Sequence, residues 1–159
     1  MGFALSDMKV TSSAFQDRGN IPTKHSGEGE NVSPPLAWSG APEGTKAYAV
    51  ICHDPDAPLI TPEGHYGYVH WVLYGIPGSV TSLDEGVDAY VAGRNETGET
   101  GYTGPMPPNG HGLHHYFFWV VALNQELKLQ PGLNLYELLA AIEPHAVGMN
   151  RIVGTYQRA

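Results

Sequence analysis

A chain of 159 residues with 42% apolar and only 15% charged side chains suits one domain, burying roughly two-thirds or more of the surface exposed on unfolding. Its net charge of −8 repels phosphate backbones and anionic bilayers, which excludes nucleic acid as a general partner, and no stretch reaches the roughly 20 apolar residues of a membrane span. Cys52 stands alone, so no internal disulfide forms, and with no basic-then-apolar leader the expected location is cytoplasmic.

No repeat or low-complexity segment divides residues 1–159, and 20 Gly and 13 Pro promise many turns. Met8–Ser12 reads as a short strand, and polar Gly19–Trp38 as a long ordered loop ending in a strand near Ala37. Ala47–His53 is an apolar run between Gly44 and Pro55, as expected of a central strand. Tyr68–Ile76 and His115–Leu123 are rich in aromatic and β-branched residues and complete a three-strand core. Gly86–Gly112 has little periodicity, and a loop that long in a compact domain is usually functional or mobile. Asn134 can cap a helix in which Glu137 reaches back and Leu135, Leu138, Leu139 and Ile142 share a face; Pro144 ends it. Ile152–Gln157 makes a last strand. Spaced strands with one late helix predict a mainly β fold of antiparallel sheets, not repeated βαβ units.

Asp-Pro-Asp-Ala-Pro at 54–58 follows the first core strand, His70 lies near the start of the second, and His114-His115-Tyr116 open the third. If the first strand is antiparallel to both neighbours, its finish lies beside their starts. Asp54, His70, His114 and Tyr116 then converge at one sheet edge, with Pro55–Pro62 and Gly104–Gly110 as the rim. Alternation places His114, Tyr116 and Phe118 on one face, and His115, Phe117 and Trp119 on the other; Tyr68, His70 and Val72 share a face. An Asp carboxylate orients an imidazole and favours its charged form, while imidazole, phenol and backbone N–H donors suit an oxyanion. Affinity for an anion is then expected to peak at mildly acidic pH. Asp56 is a candidate brace for the turn. Singly, each of these residues reads as ordinary turn or core; their convergence carries the functional reading.

The blocks Gly29–Trp38, Asp54–Pro58, His70-Trp71-Val72, Gly101-Tyr102 with Pro107-Pro108, and Gly112–Tyr116 closely resemble the phosphatidylethanolamine-binding protein family, in the order and spacing of its bacterial, Raf kinase inhibitor-like branch. The similarity runs from about Met8 to Gln157. It implies one domain of two packed antiparallel sheets with a small cavity for phosphate-like anions at one end. By motif, Asp54, His70, His114 and Tyr116 correspond to that cavity, and Ala57, Pro58, Pro107 and Pro108 to its wall. The resemblance also implies a phosphate, carboxylate or phospholipid headgroup as ligand, regulation of a kinase or other protein partner, and a homodimer. Two departures matter. His115 stands where many members have Arg, which removes a permanent cation, and His65 and Tyr68 stand where mammalian members have Tyr and Trp, so headgroup selectivity does not transfer.

The leading expectation is therefore a non-enzymatic small-anion-binding protein with no catalytic residue, metal or cofactor. A hydrolase would use Asp54 with His70 or His114 as orienter and base, yet no Gly-x-Ser-x-Gly elbow is present. A metal enzyme would draw on His111, His114, His115 and Asp54, although His114 and His115 point to opposite faces of one strand. Protease inhibition by an exposed loop is a further role that the resemblance allows.

Overall fold

A computed structural model describes residues 2–57 and 66–159. In chain order these form strands β1 (Lys9–Thr11), β2 (Gly19–Asn20), β3 (Leu36–Ser39), β4 (Ala47–Asp54), β5 (Tyr68–Pro77), β6 (Ser82–Leu83), β7 (Val91–Ala92) and β8 (His114–Leu123), then helix α1 (Leu135–Ile142) and strand β9 (Ala146–Tyr156). The larger sheet has the order β2-β9-β8-β4-β5-β7, and the smaller one β1-β3-β6. Pairing is antiparallel except where the two-residue β2 lies parallel to β9 at an edge. Among the described residues no helix is long and apolar enough to cross a membrane.

The unbroken apolar run of β4 follows from burial on both faces. Toward the small sheet, Val50, Cys52, Trp71, Leu73, Phe118 and Val120 pack with Val10, Leu36 and Trp38. On the opposite face, Ala49, Ile51, Tyr74 and Val121 lie under Leu138 and Ile142 of α1. Asn134 caps that helix as its sequence predicts: its side chain accepts from the Glu137 N–H at 2.8 Å, and Glu137 Oε1 accepts from the Asn134 N–H at 3.2 Å. The helix stops at Ile142, and Glu143–His145 continues as one 3₁₀ turn around Pro144. Leu138 and Ile142 are fully buried, whereas Leu135 and Leu139 are only partly covered.

Two expectations change. The last strand begins at Ala146 rather than Ile152, because Ala146–Arg151 is held by its ladder with β8 although it contains a glycine and the polar, partly exposed Asn150 and Arg151. The shared face expected for Tyr68, His70 and Val72 holds for Tyr68 and His70, whose rings are in contact, but not for Val72. Cys52 pairs with Trp71 but His53 pairs with Val69, so His70 is the extra residue of a β-bulge. A bulge lets neighbouring side chains fall on one side of a strand. Trp71 accordingly joins the inner core and Val72 the outer one, while His70 still turns toward the strand ends that carry Asp54 and Tyr116. A second irregularity at Tyr48/Val50 is accommodated by Gly75, whose φ of +70° suits glycine.

Docking of α1 through Leu138 should outweigh its cap. Leu138→Ala is expected to cost about 2–5 kcal/mol and Asn134→Ala about 1 kcal/mol in urea unfolding, and equal losses would contradict this ranking.

Candidate functional site

Because β4 is antiparallel to β5 and β8, its C-terminal end lies beside their N-terminal ends. Asp54, the last residue of β4, is 2% exposed and both its oxygens are engaged. Oδ1 accepts the Asp56 N–H at 2.7 Å, bracing the Asp-Pro-Asp turn, and Oδ2 accepts from His114 Nδ1 at 2.6 Å. A carboxylate accepts only, so Nδ1 of His114 carries the proton and the ring orientation is set. His114 Nε2 lies 2.8 Å from Nδ1 of the exposed His111, which extends the chain to the surface. Asp56 does more than brace its own turn: Oδ2 accepts both the His115 backbone N–H and His115 Nδ1, each at 2.7 Å. The backbone bond needs no charge on the ring, so this tie survives the replacement of a permanent cation by His115.

The His70 bulge is clamped to the loop that follows Tyr102. His70 Nδ1 meets the Thr103 carbonyl oxygen at 2.7 Å, and the Thr103 N–H returns to the His70 carbonyl at 2.9 Å. The next residue is fixed from elsewhere. The Gly104 N–H donates to Asn31 Oδ1 at 2.7 Å, and a Cβ there would stand 2.1 Å from the His25 carbonyl, so only glycine fits. Arg158 Nη1 donates to the Pro107 carbonyl at 3.1 Å and holds the far part of the same rim. Tyr116 packs edge-on against His70, with centroids 5.1 Å apart, and the Tyr68 ring lies 4.7 Å from His70.

These elements enclose an open cavity of about 510 Å³, within the usual range for small-molecule sites. Asp54, Ala57, His70, Pro107, Pro108, His114 and Tyr116 all line it. Pro58, and with it the geometry of the Ala57–Pro58 bond, lies outside the described residues. Sequence reasoning missed Thr103 and His111 as lining groups, and Asn31 and Arg158 as their supports. His111 was visible only as part of a histidine cluster; it meets His114, three residues on. Among the described residues no three His, Cys, Asp or Glu side chains are placed to share a metal ion.

Among the described residues the lining contains no Lys or Arg. Burial pushes His70 down to about 4, against the raising effect of the Thr103 carbonyl, with His53 and His114 adding to the fall. Asp54 thus orients His114, while His70 is oriented by a carbonyl and is neutral at ordinary pH. Burial, then the Asp54 charge, pushes the Tyr116 phenol up, so it keeps its proton. Burial works against ionised Asp56, but the bonds from His115 outweigh it and leave this carboxyl below its ordinary value. Cys52 is buried beneath the site and its thiol is pushed up by burial.

The His70 shift has a stability consequence. The unfolded ring binds its proton near 6.5 and the folded one near about 4, so the unfolded chain holds more protons between those values. Stability is lost as pH falls through that window, by at most about 1.4 kcal/mol per unit from this group. Ring ¹⁵N shifts should keep His70 in the neutral Nδ1–H form down to pH about 5; a midpoint of about 6 or higher would contradict the assignment.

Residues 11–157 match the family model described as phosphatidylethanolamine-binding protein. A protein of Methanothermobacter thermautotrophicus named UPF0098 is 42% identical over 158 residues, covering 95% of this chain and 99% of its own length. The crystal structure of CT736 from Chlamydia trachomatis, titled as a homologue of phosphatidylethanolamine-binding protein, is 35% identical with a TM-score of 0.87 over 96% of this chain and 98% of its own. YbcL of E. coli, titled as a new member of the mammalian family, is 32% identical with a TM-score of 0.86 over 97% of this chain and 100% of its own. With the same fold and similarity over nearly its whole length, this chain belongs to the phosphatidylethanolamine-binding protein family, and the bacterial branch fits.

Proposed function

We propose that the cavity at the ends of β4, β5 and β8 is a non-enzymatic binding site for a small ligand carrying a phosphate or carboxylate group. The supporting observation is the Tyr116 hydroxyl: it belongs to a buried residue, lines the cavity, keeps its proton, and has no hydrogen-bond partner among the described residues. An unpaired donor that opens into a concave site on an otherwise buried side chain is placed to meet an acceptor. The enzyme reading has an oriented base in Asp54–His114, but no nucleophile is hydrogen-bonded to it among the described residues. The Cys52 thiol is buried, and no hydrogen bond joins the Thr103 hydroxyl to either histidine among the described residues.

Regulation of a partner protein, a kinase included, extends the same proposal: Met106 at the cavity and Leu113 beside His114 are exposed apolar side chains that a partner would meet. A homodimer is supported by the outer face of the larger sheet, where half-exposed Phe117 and Trp119 stack and the Arg151 guanidinium lies 5.3 Å over the Trp119 ring. The single, buried thiol favours a reducing compartment such as the cytoplasm.

Titration with inorganic phosphate, acetate and phosphoethanolamine, followed by histidine ring NMR signals, should give saturable shifts at His70 and His114. Tyr116→Phe removes only the hydroxyl and should weaken binding about tenfold with the thermal midpoint nearly unchanged. Absence of any response to all three anions, or an unchanged affinity in Tyr116→Phe, would reject the proposal.

A further inference from the structure

The donors of this cavity are fewer than its side chains suggest. His114 spends Nδ1 on Asp54 and Nε2 on His111, at 2.6 and 2.8 Å. A nitrogen-to-nitrogen hydrogen bond holds one proton between its two rings, so neither atom is offered to a ligand while the bond stands. Asp54 is likewise engaged at both oxygens. His70 Nδ1 faces a carbonyl, which only accepts, and must carry the ring's proton in the neutral form. Its Nε2 is then a lone pair, with no partner among the described residues, on a residue of the cavity wall. What remains for a guest among the described side chains is the hydroxyls of Tyr116, Tyr68 and Thr103 beside one nitrogen that can only accept, His70 Nε2, with no described Lys or Arg in the lining to balance added charge.

Resting on the anion-site reading above, we infer that the cavity selects oxyanions that carry a proton, phosphomonoesters and inorganic phosphate as their monoanions, over proton-free anions such as phosphodiesters and sulfate. The P–O–H group donates to His70 Nε2 while a neighbouring phosphoryl oxygen accepts from Tyr116. A diester of the same charge sets a lone pair against the His70 Nε2 lone pair and displaces any water from it without replacing the hydrogen bond. Sulfate adds a second negative charge beside the Asp54 carboxylate.

The groups facing His70 do not reverse this. His53 and Asp54 on β4, Tyr68 on its own strand, and His114 and Tyr116 on β8 surround the ring, with the carbonyls of Thr103 and Gly104 above it. Two of these neighbours are imidazoles, which disfavour a proton on His70, and burial does so more strongly. The ring is therefore neutral through the range in which a phosphomonoester changes charge, and the ligand's own titration governs binding.

The test is calorimetry of the wild-type protein with methyl phosphate, dimethyl phosphate and sulfate between pH 5.5 and 8. Methyl phosphate near pH 5.5 should bind at least about tenfold tighter than dimethyl phosphate, which has equal charge and no proton, and than sulfate. Its affinity should fall about tenfold per pH unit well above its second pKa of about 6. His70→Gln, whose amide can turn a donor toward the ligand, should bring the methyl-to-dimethyl ratio toward one by gaining diester affinity, a change that structural damage alone would not produce. Equal affinity for methyl and dimethyl phosphate in the wild type, or methyl phosphate affinity independent of its protonation, overturns the inference while leaving an anion site in place; a diester lipid headgroup would then be the better match. No binding of any of the three overturns both. If His70→Gln does not fold, the wild-type comparison and its pH profile decide alone.

Discussion

His70 and Thr103 hold each other twice, side chain to carbonyl at 2.7 Å and amide to carbonyl at 2.9 Å, and the rest of the cavity is arranged around that clamp. The first bond assigns the imidazole proton, and the second ties the loop to the edge of β5 where the bulge has already turned the ring inward. Remove either bond and a buried polar group is left without a partner in a region with few alternatives, which is costly in a low-dielectric interior. The ring contacts of Tyr68 and Tyr116 then limit how far His70 can tilt.

Much of this arrangement was legible in the residues. Antiparallel pairing of three apolar runs is enough to bring Asp54, His70, His114 and Tyr116 together, because strand direction alone determines which ends are neighbours. The capped helix was legible for a similar reason, since Asn134, Glu137 and Pro144 act within a few residues of themselves. The bulge was not. It depends on how β5 registers against β4, a pairing between residues some 20 positions apart that simple alternation does not encode, and it is why Val72 falls on a different face from His70. Asn31 and Arg158 were invisible for the same reason: each contacts the rim across more than 50 positions of chain.

The chemistry changed more than the geometry. From residue types, three histidines beside an aspartate look like a cluster of positive charge. Partner by partner, the same side chains form a relay that ends at an exposed ring, together with one neutral imidazole whose free atom accepts. Composition reveals which groups are present. Only the bonds reveal which of their donors and acceptors are already spent.

Cys52 sits 1% exposed on β4, two residues before the carboxylate that anchors His114. A thiol so deeply shielded does not react with maleimides under native conditions, so the wild-type background is already silent to dye labelling. A single cysteine introduced at Met106, half-exposed at the mouth, would accept one fluorophore and turn occupancy of the cavity into an optical signal, without mutating the core.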